Sequence, residues 1–268
     1  MTATATSRPR RRHVPRWVPN QHGAWAMLVL PWLLGTILRL RSGEPASHLL
    51  PLLACWLTGY VAFYAASSWL KAPAGRRAPW LRPLVTAGAP AGAFGLVTLA
   101  LAGPALARWV PAFVPLLVPA LVLASRRRER ALAGGALTVT AASLIALVAA
   151  HPDPLSLPSA PDAGAAFAAA AGSFAYFFGT VLYVKTNIRE RGSRGYLGAS
   201  VAWHAAVTLA AAALASVGVL AWWWAPFFAA ATARAWLVPR RGRPLSPKHI
   251  GFIEIGFCLV LVACFASW

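Results

Sequence analysis

Acidic residues are scarce in this chain, six Asp and Glu against 25 Lys and Arg, and only 12% of the 268 residues are charged. That is too little charge to cover a soluble globule of this length, which excludes a water-soluble fold for most of the chain. Cysteine is scarce too: Cys55, Cys258 and Cys264 are the three present, and each falls inside an apolar run. Such spacing supports neither a disulfide framework nor a zinc site. Basic residues do not gather on one stretch either. The formal net charge of +19 is spread in short clusters between apolar runs, which argues against a nucleic-acid partner. The partner implied is the lipid bilayer.

What the chain has in abundance is apolar sequence, 59% of all positions. Stretches long enough to span a bilayer, or nearly so, lie at roughly 23–39, 49–70, 81–102, 107–124, 131–150, 163–184, 197–216, 219–237 and 250–268. They lack the polar face of soluble helices and the strict alternation of barrel strands. The expected fold is therefore all-α, a polytopic bundle of about nine transmembrane helices. A basic arm over 1–21 would precede one transmembrane domain over 22–268. The arm resembles a signal peptide in charge, yet Arg39 and Arg41 follow where a cleavage site would stand, so the first segment is read as retained.

Charge sets the expected orientation, because Lys and Arg near helix ends are kept on the cytoplasmic side. Numbering the gaps alternately puts 22 of the 25 basic residues on one side, leaving Arg39, Arg41 and Arg108 on the other. Arg234 is counted in this reading with Arg240, Arg241, Arg243 and Lys248 as a base of the loop before the ninth helix. The expectation is a bacterial plasma-membrane protein with its N-terminus cytoplasmic and its C-terminus extracytoplasmic. The gap from His151 to Asp162 holds two aspartates, four prolines and no base, and reads as an extracytoplasmic loop. Trp69, Trp80, Trp109, Trp222, Trp223, Trp224, Trp236 and Trp268 stand near expected helix ends as interfacial anchors.

Two helices carry patterned polarity. Tyr60, Tyr64, Ser67, Ser68 and Lys71 share one face of the second, and Tyr176, Thr180, Tyr183 and Asn187 share one face of the sixth, followed by Lys185 and Arg189. Hydroxyls facing lipid would go unsatisfied, so both stripes are expected to point inward, either bonding neighbouring helices or lining a pocket open to the cytoplasm. Glu254 is the one carboxylate inside an apolar run, where it must face the bundle, pair with a base, or snorkel toward Lys248 or another loop base. His204 reads as a packing residue. Two helix entries at the same membrane surface bring Gln21, His22, His249 and Glu254 together as a candidate ligand set; they come from distant elements without metal-ligand spacing, so no metal is assigned.

The run Pro19-Asn20-Gln21-His22-Gly23-Ala24-Trp25-Ala26-Met27, with Pro247-Lys248-His249-Ile250-Gly251-Phe252-Ile253-Glu254, resembles the YwiC-like family of bacterial membrane proteins. That resemblance implies a membrane protein and no particular reaction or cofactor. A remoter similarity is to the UbiA-type prenyltransferases, which have nine helices and an Asn-Asp-x-x-Asp-x-x-x-Asp motif closing the second. Here Ser67-Ser68-Trp69-Leu70-Lys71 stands at that place and Arg82-Pro83-Leu84 follows as in those enzymes, but Ser68, Lys71 and Gly75 replace the carboxylates. Magnesium needs oxygen ligands and a lysine repels it, which argues against metal-dependent prenyl transfer and leaves the question of catalysis open. What the similarity implies is a cavity whose bases attract a phosphate or carboxylate headgroup. The leading expectation is a cytoplasm-facing intramembrane pocket for an amphipathic or anionic ligand such as an isoprenoid, quinone or lipid headgroup. The alternatives are a small-solute transporter, with Pro31 and Gly35 in helix one and Pro90 with Gly88, Gly92 and Gly95 in helix three interrupting those helices, and a non-catalytic assembly subunit.

Overall fold

The computed structural model describes Trp17, residues 22–241 and residues 245–267. The basic arm with Arg8, Arg10, Arg11, Arg12, Arg16 and Gln21, the side chain of His22, and Arg243 and Trp268 lie outside the described residues. Among the described residues nine α-helices follow in order: α1 (His22–Arg41), α2 (Leu49–Lys71), α3 (Ala78–Ala102), α4 (Val110–Ser125), α5 (Leu132–Ala150), α6 (Ala163–Ile188), α7 (Arg194–Ser216), α8 (Trp224–Leu237) and α9 (Pro247–Ala266). Among the described residues there is no strand. The all-helical expectation holds.

Eight of the nine are long and apolar enough to cross a membrane. The exception is α8, whose 14 residues rise only about 21 Å against a hydrocarbon core of about 30 Å. Two short turns extend it, one through Trp222 and Trp223 and one through Val238–Arg240. Neither α1 nor α3 is interrupted at Pro31, Gly35, Gly88, Pro90, Gly92 or Gly95, so the helix breaks that a transporter of this kind would need do not occur there. A proline inside a membrane helix frees one carbonyl, and a neighbouring helix can satisfy it.

The bundle is arranged around α1, α5 and α6. On one side α2 packs on α3 and α4; on the other α7 packs on α6 and α8, and α9 lies against α1. The α5 sequence is apolar on every side and rich in Ala and Gly, as suits an interior helix, and almost all of its second half is buried. Close approach explains the small residues. A Cβ on Gly35 would stand 2.1 Å from the Ala146 carbonyl oxygen, so only glycine lets α1 and α5 meet there. Hydroxyls along the helices, including Thr58, Thr98, Thr140 and Ser143, donate to the carbonyl four residues earlier, which satisfies them without any partner helix.

Two distinct ends emerge from the contacts. At one, Lys71 Nζ lies 2.9 Å from Glu129 Oε1 and Lys185 Nζ donates to the Arg130 carbonyl at 2.7 Å, so α2 and α6 both finish at the α4–α5 turn. The Glu129 carboxyl is pulled upward by partial burial, but the Lys71 hydrogen bond and charge, with Arg130, outweigh this and hold it below its ordinary range. We call this the basic end. At the other, Trp109 donates to the His151 carbonyl and Trp32 to the Leu49 carbonyl. The three bases at this end are each held by acceptors. Arg39 bonds the Pro45 and Ala150 carbonyls, Arg41 bonds the Phe265 and Ala266 carbonyls at the close of α9, and Arg108 pairs with Asp153 at 2.8 Å. Arg39 and Arg41 thereby cap the negative ends of α5 and α9, which is why charge tolerates them there.

The tryptophan reading needs correction at two positions. Trp223 and Trp224 do not face an interface: they are stacked with centroids 4.3 Å apart and buried, and Trp224 lies over Gly172, where a Cβ would come within 2.3 Å of its ring. The flat faces are consumed in packing α8 onto α6 across a glycine.

Candidate functional site

Arg234 is the residue that changes the reading of this chain. It is not a loop base. It lies within the last turn of α8, is 6% exposed, and its guanidinium forms a short hydrogen bond and ion pair with Oε1 of Glu254 in α9. Glu254 therefore neither snorkels to Lys248 nor stands alone. Its second oxygen, Oε2, accepts hydrogen bonds of 2.8 Å from the Tyr176 hydroxyl and 2.8 Å from the Thr180 hydroxyl, one turn apart on α6. A buried carboxylate needs this number of donors to offset the loss of its hydration.

The arginine is enclosed as fully. Its guanidinium carbon lies 4.4 Å from the ring centre of Tyr183, 4.5 Å from that of Phe257 and 5.7 Å from that of Tyr176, so aromatic faces replace water around the cation. His204 on α7 approaches from another side. Its Nδ1 is 2.7 Å from the Ser200 carbonyl, which can only accept, so the proton sits on Nδ1 and Nε2 faces Arg234 at 3.5 Å as an acceptor. Gly179 makes room for it, since a Cβ there would stand 2.8 Å from His204 Nε2. Among the described residues two polar atoms of the cluster, Arg234 Nε and the Tyr183 hydroxyl, are buried without a hydrogen-bond partner.

The cluster thus joins α6, α7, α8 and α9. Its expected members Tyr176, Thr180 and Glu254 do meet, and Tyr183 stacks on the arginine they share. Asn187 and Lys185 lie one turn further toward the basic end, Asn187 donating to the Tyr183 carbonyl at 2.8 Å. Arg189 caps α6 and is exposed. His249 is exposed and bonded to Ser246 at the start of α9. Among the described residues no three His, Cys, Asp or Glu side chains gather as a metal set.

The α2 stripe goes elsewhere. Tyr64 packs edge-on to Trp80, Tyr60 to Trp25, Lys71 pairs with Glu129, and Ser67 and Ser68 are buried against neighbouring helices. Arg82 lies over the Trp17 ring at 5.3 Å. No hydrogen bond or ring contact among the described residues joins this stripe to α6; the two meet only through the α4–α5 turn that both lysines reach. Sequence reasoning missed Arg234 because it assigned each base near a helix end to a loop. The available signal was Glu254: opposite charges one turn inside the same end of consecutive antiparallel helices come face to face.

Beside the cluster runs an apolar groove of about 630 Å³ between α8 and α9, lined by Trp222, Phe227, Ala230, Ile253, Phe257 and Val260 among others. Phe257 lines the groove and also lies against the Arg234 guanidinium at 4.5 Å, so one aromatic ring is shared by the groove and the buried cluster. Its side is open where Trp222 and Val260 are exposed.

These features define a multi-pass helical membrane protein with a charge-balanced polar cluster enclosed among its last four helices. The model of the YwiC-like protein family matches residues 18–150, which run from the entry of α1 to the end of α5. Over that stretch the chain is similar to the YwiC-like family. A relative named "Uncharacterized protein YwiC" from Bacillus subtilis (strain 168) is 29% identical over 239 residues, 89% of this chain and 92% of that one. No solved structure matches.

Proposed function

We propose that this is a bacterial plasma-membrane protein, with its basic end in the cytoplasm, that holds an amphipathic ligand in the α8–α9 groove. The ligand's apolar chain would lie along Trp222, Phe227, Phe257 and Val260, and its head would reach Arg234 and Tyr183. The observation that carries the reading is an apolar groove, of a volume usual for ligand sites, that shares the Phe257 ring with a buried polar cluster retaining, among the described residues, two unused hydrogen-bonding groups. Lipid tails alone would require no such cluster beside the groove.

Charge balance narrows the head. Arg234 and Glu254 already neutralise each other, so an added anion would leave a buried excess of negative charge. A neutral head with acceptor oxygens, of the isoprenoid or quinone class, fits Arg234 Nε and the Tyr183 hydroxyl without that cost. The cytoplasmic assignment rests on 22 of 25 basic residues falling in alternate gaps, with Arg234 among them by position but buried.

The test is thermal stabilisation of the purified protein by isoprenoid quinones, isoprenyl alcohols and isoprenyl phosphates, read beside Gly256→Phe. Nothing lies within 4 Å of a Cβ on Gly256, so the variant should fold while its ring fills the groove. Stabilisation by a neutral long-chain compound, lost in Gly256→Phe, is expected. Equal responses in both proteins, or none in either, would sink the reading.

A further inference from the structure

At the basic end a separate cleft of about 90 Å³ is enclosed by the end of α6, the α6–α7 turn and the stretch after α8. We infer that it is a phosphate-binding site, for the headgroup of an anionic phospholipid or for free phosphate. Three arginines line it: Arg191 in the turn, Arg194 at the first position of α7, and Arg241 beyond α8. No carboxylate is in the lining, although Glu190 neighbours Arg191 in sequence. Among the described residues none of the three guanidinium groups makes a hydrogen bond or ion pair; Arg126 and Arg128 at the same end are also unpaired but do not line the cleft. Three unpaired cations around one small volume repel each other, and a multivalent anion relieves that repulsion.

The shape suits phosphate in particular. The volume holds several water-sized groups, and guanidinium forks match the tetrahedral oxygens in pairs. Gly192, at φ +85°, makes the turn that sets Arg191 and Arg194 on the same cleft. Leu197, Val238 and Leu245 form an apolar wall on which the glycerol portion of a lipid would rest. Asn187, whose amide nitrogen donates to the Tyr183 carbonyl, lines the cleft from α6. Basic pockets between membrane helices at the charged surface are where anionic headgroups bind. The site lies one helical turn beyond Arg234 and does not depend on the groove.

The full chain, reconstituted in phosphatidylcholine nanodiscs with or without phosphatidylglycerol, and separately with inorganic phosphate, is compared with Arg191→Gln/Arg194→Gln/Arg241→Gln. Arg126→Gln/Arg128→Gln/Lys248→Gln removes the same charge outside the cleft. Expected is thermal stabilisation by phosphatidylglycerol, retained in that control, with apparent affinity reduced about tenfold or more in the cleft variant. Stabilisation by inorganic phosphate alone, lost in the cleft variant, assigns free phosphate instead and keeps the site. Should the triple variant not fold, Arg194→Gln carries the test with a smaller loss. No stabilisation of the wild type by either probe, or equal losses in the two triple variants, overturns the inference. Gly256→Phe should respond like the wild type, so failure of the groove and failure of the cleft are told apart.

Discussion

Removing one partner of the buried ion pair should cost far more than removing both. In Arg234→Met the Glu254 carboxylate, 12% exposed, keeps only the Tyr176 and Thr180 hydroxyls as donors and loses its cation. Breaking a buried pair in this way costs about 3–5 kcal/mol. Glu254→Leu leaves the guanidinium uncompensated among aromatic rings and should cost a similar amount. In the double variant neither charge remains; Thr180 can turn to the carbonyl of residue 176, and the loss falls to about 1–3 kcal/mol, mostly from the stranded Tyr176 hydroxyl. The two single costs therefore should not add, and the coupling should exceed about 3 kcal/mol. Unfolding by SDS titration of the four proteins in the same mixed micelles measures each value. Thermal midpoints of the single variants should fall by roughly 6–20 °C. Single costs below about 1 kcal/mol, or strict additivity in the cycle, would show that the pair is not the buried interaction described here.

Three further outcomes follow from other parts of the structure. Gly35→Ala should destabilise by about 1–3 kcal/mol because its Cβ would meet the Ala146 carbonyl, while Gly92→Ala, with nothing within 4 Å, should be nearly neutral; equal midpoints for the two would refute the α1–α5 contact. The Lys71–Glu129 bridge should contribute stability above the ordinary glutamate value of about 4.3, and lose it as pH falls through the depressed value of the folded protein. Glu129→Gln should flatten that acid limb of the midpoint-against-pH curve, and an unchanged limb would count against the bridge. Single cysteines replacing Arg126 and Arg191 should label from one face of sealed vesicles and a cysteine at Arg108 from the other, with any other partition contradicting the two ends of the bundle.

Lipid as the solvent, helices as the only elements and the separation of basic from nearly base-free ends were all legible in the chain. Each depends on a quantity summed along the sequence, such as apolar run length or the side on which bases fall, and such sums survive errors at single residues. The same summation hid Arg234, which sits one turn from true loop bases, and promoted Trp223 and Trp224 to interface positions. Glu254, Tyr176, Thr180 and Tyr183 were legible as candidates because polarity in an apolar run is expensive wherever it occurs. Their partner was not.

By itself the sequence determined that nine apolar segments would form helices in lipid with basic clusters between them, because hydration of charge and exclusion of apolar surface act on each segment separately. Only the tertiary structure decided which polar stripes met. Both stripes were equally inward by pattern, yet the α2 stripe is consumed in contacts with α1, α3 and the α4–α5 turn, while the α6 stripe closes on Glu254 and Arg234. That choice is made by which helices can approach closely, at glycines such as Gly35, Gly172 and Gly179, and close packing is a property of pairs of surfaces that no single helix carries.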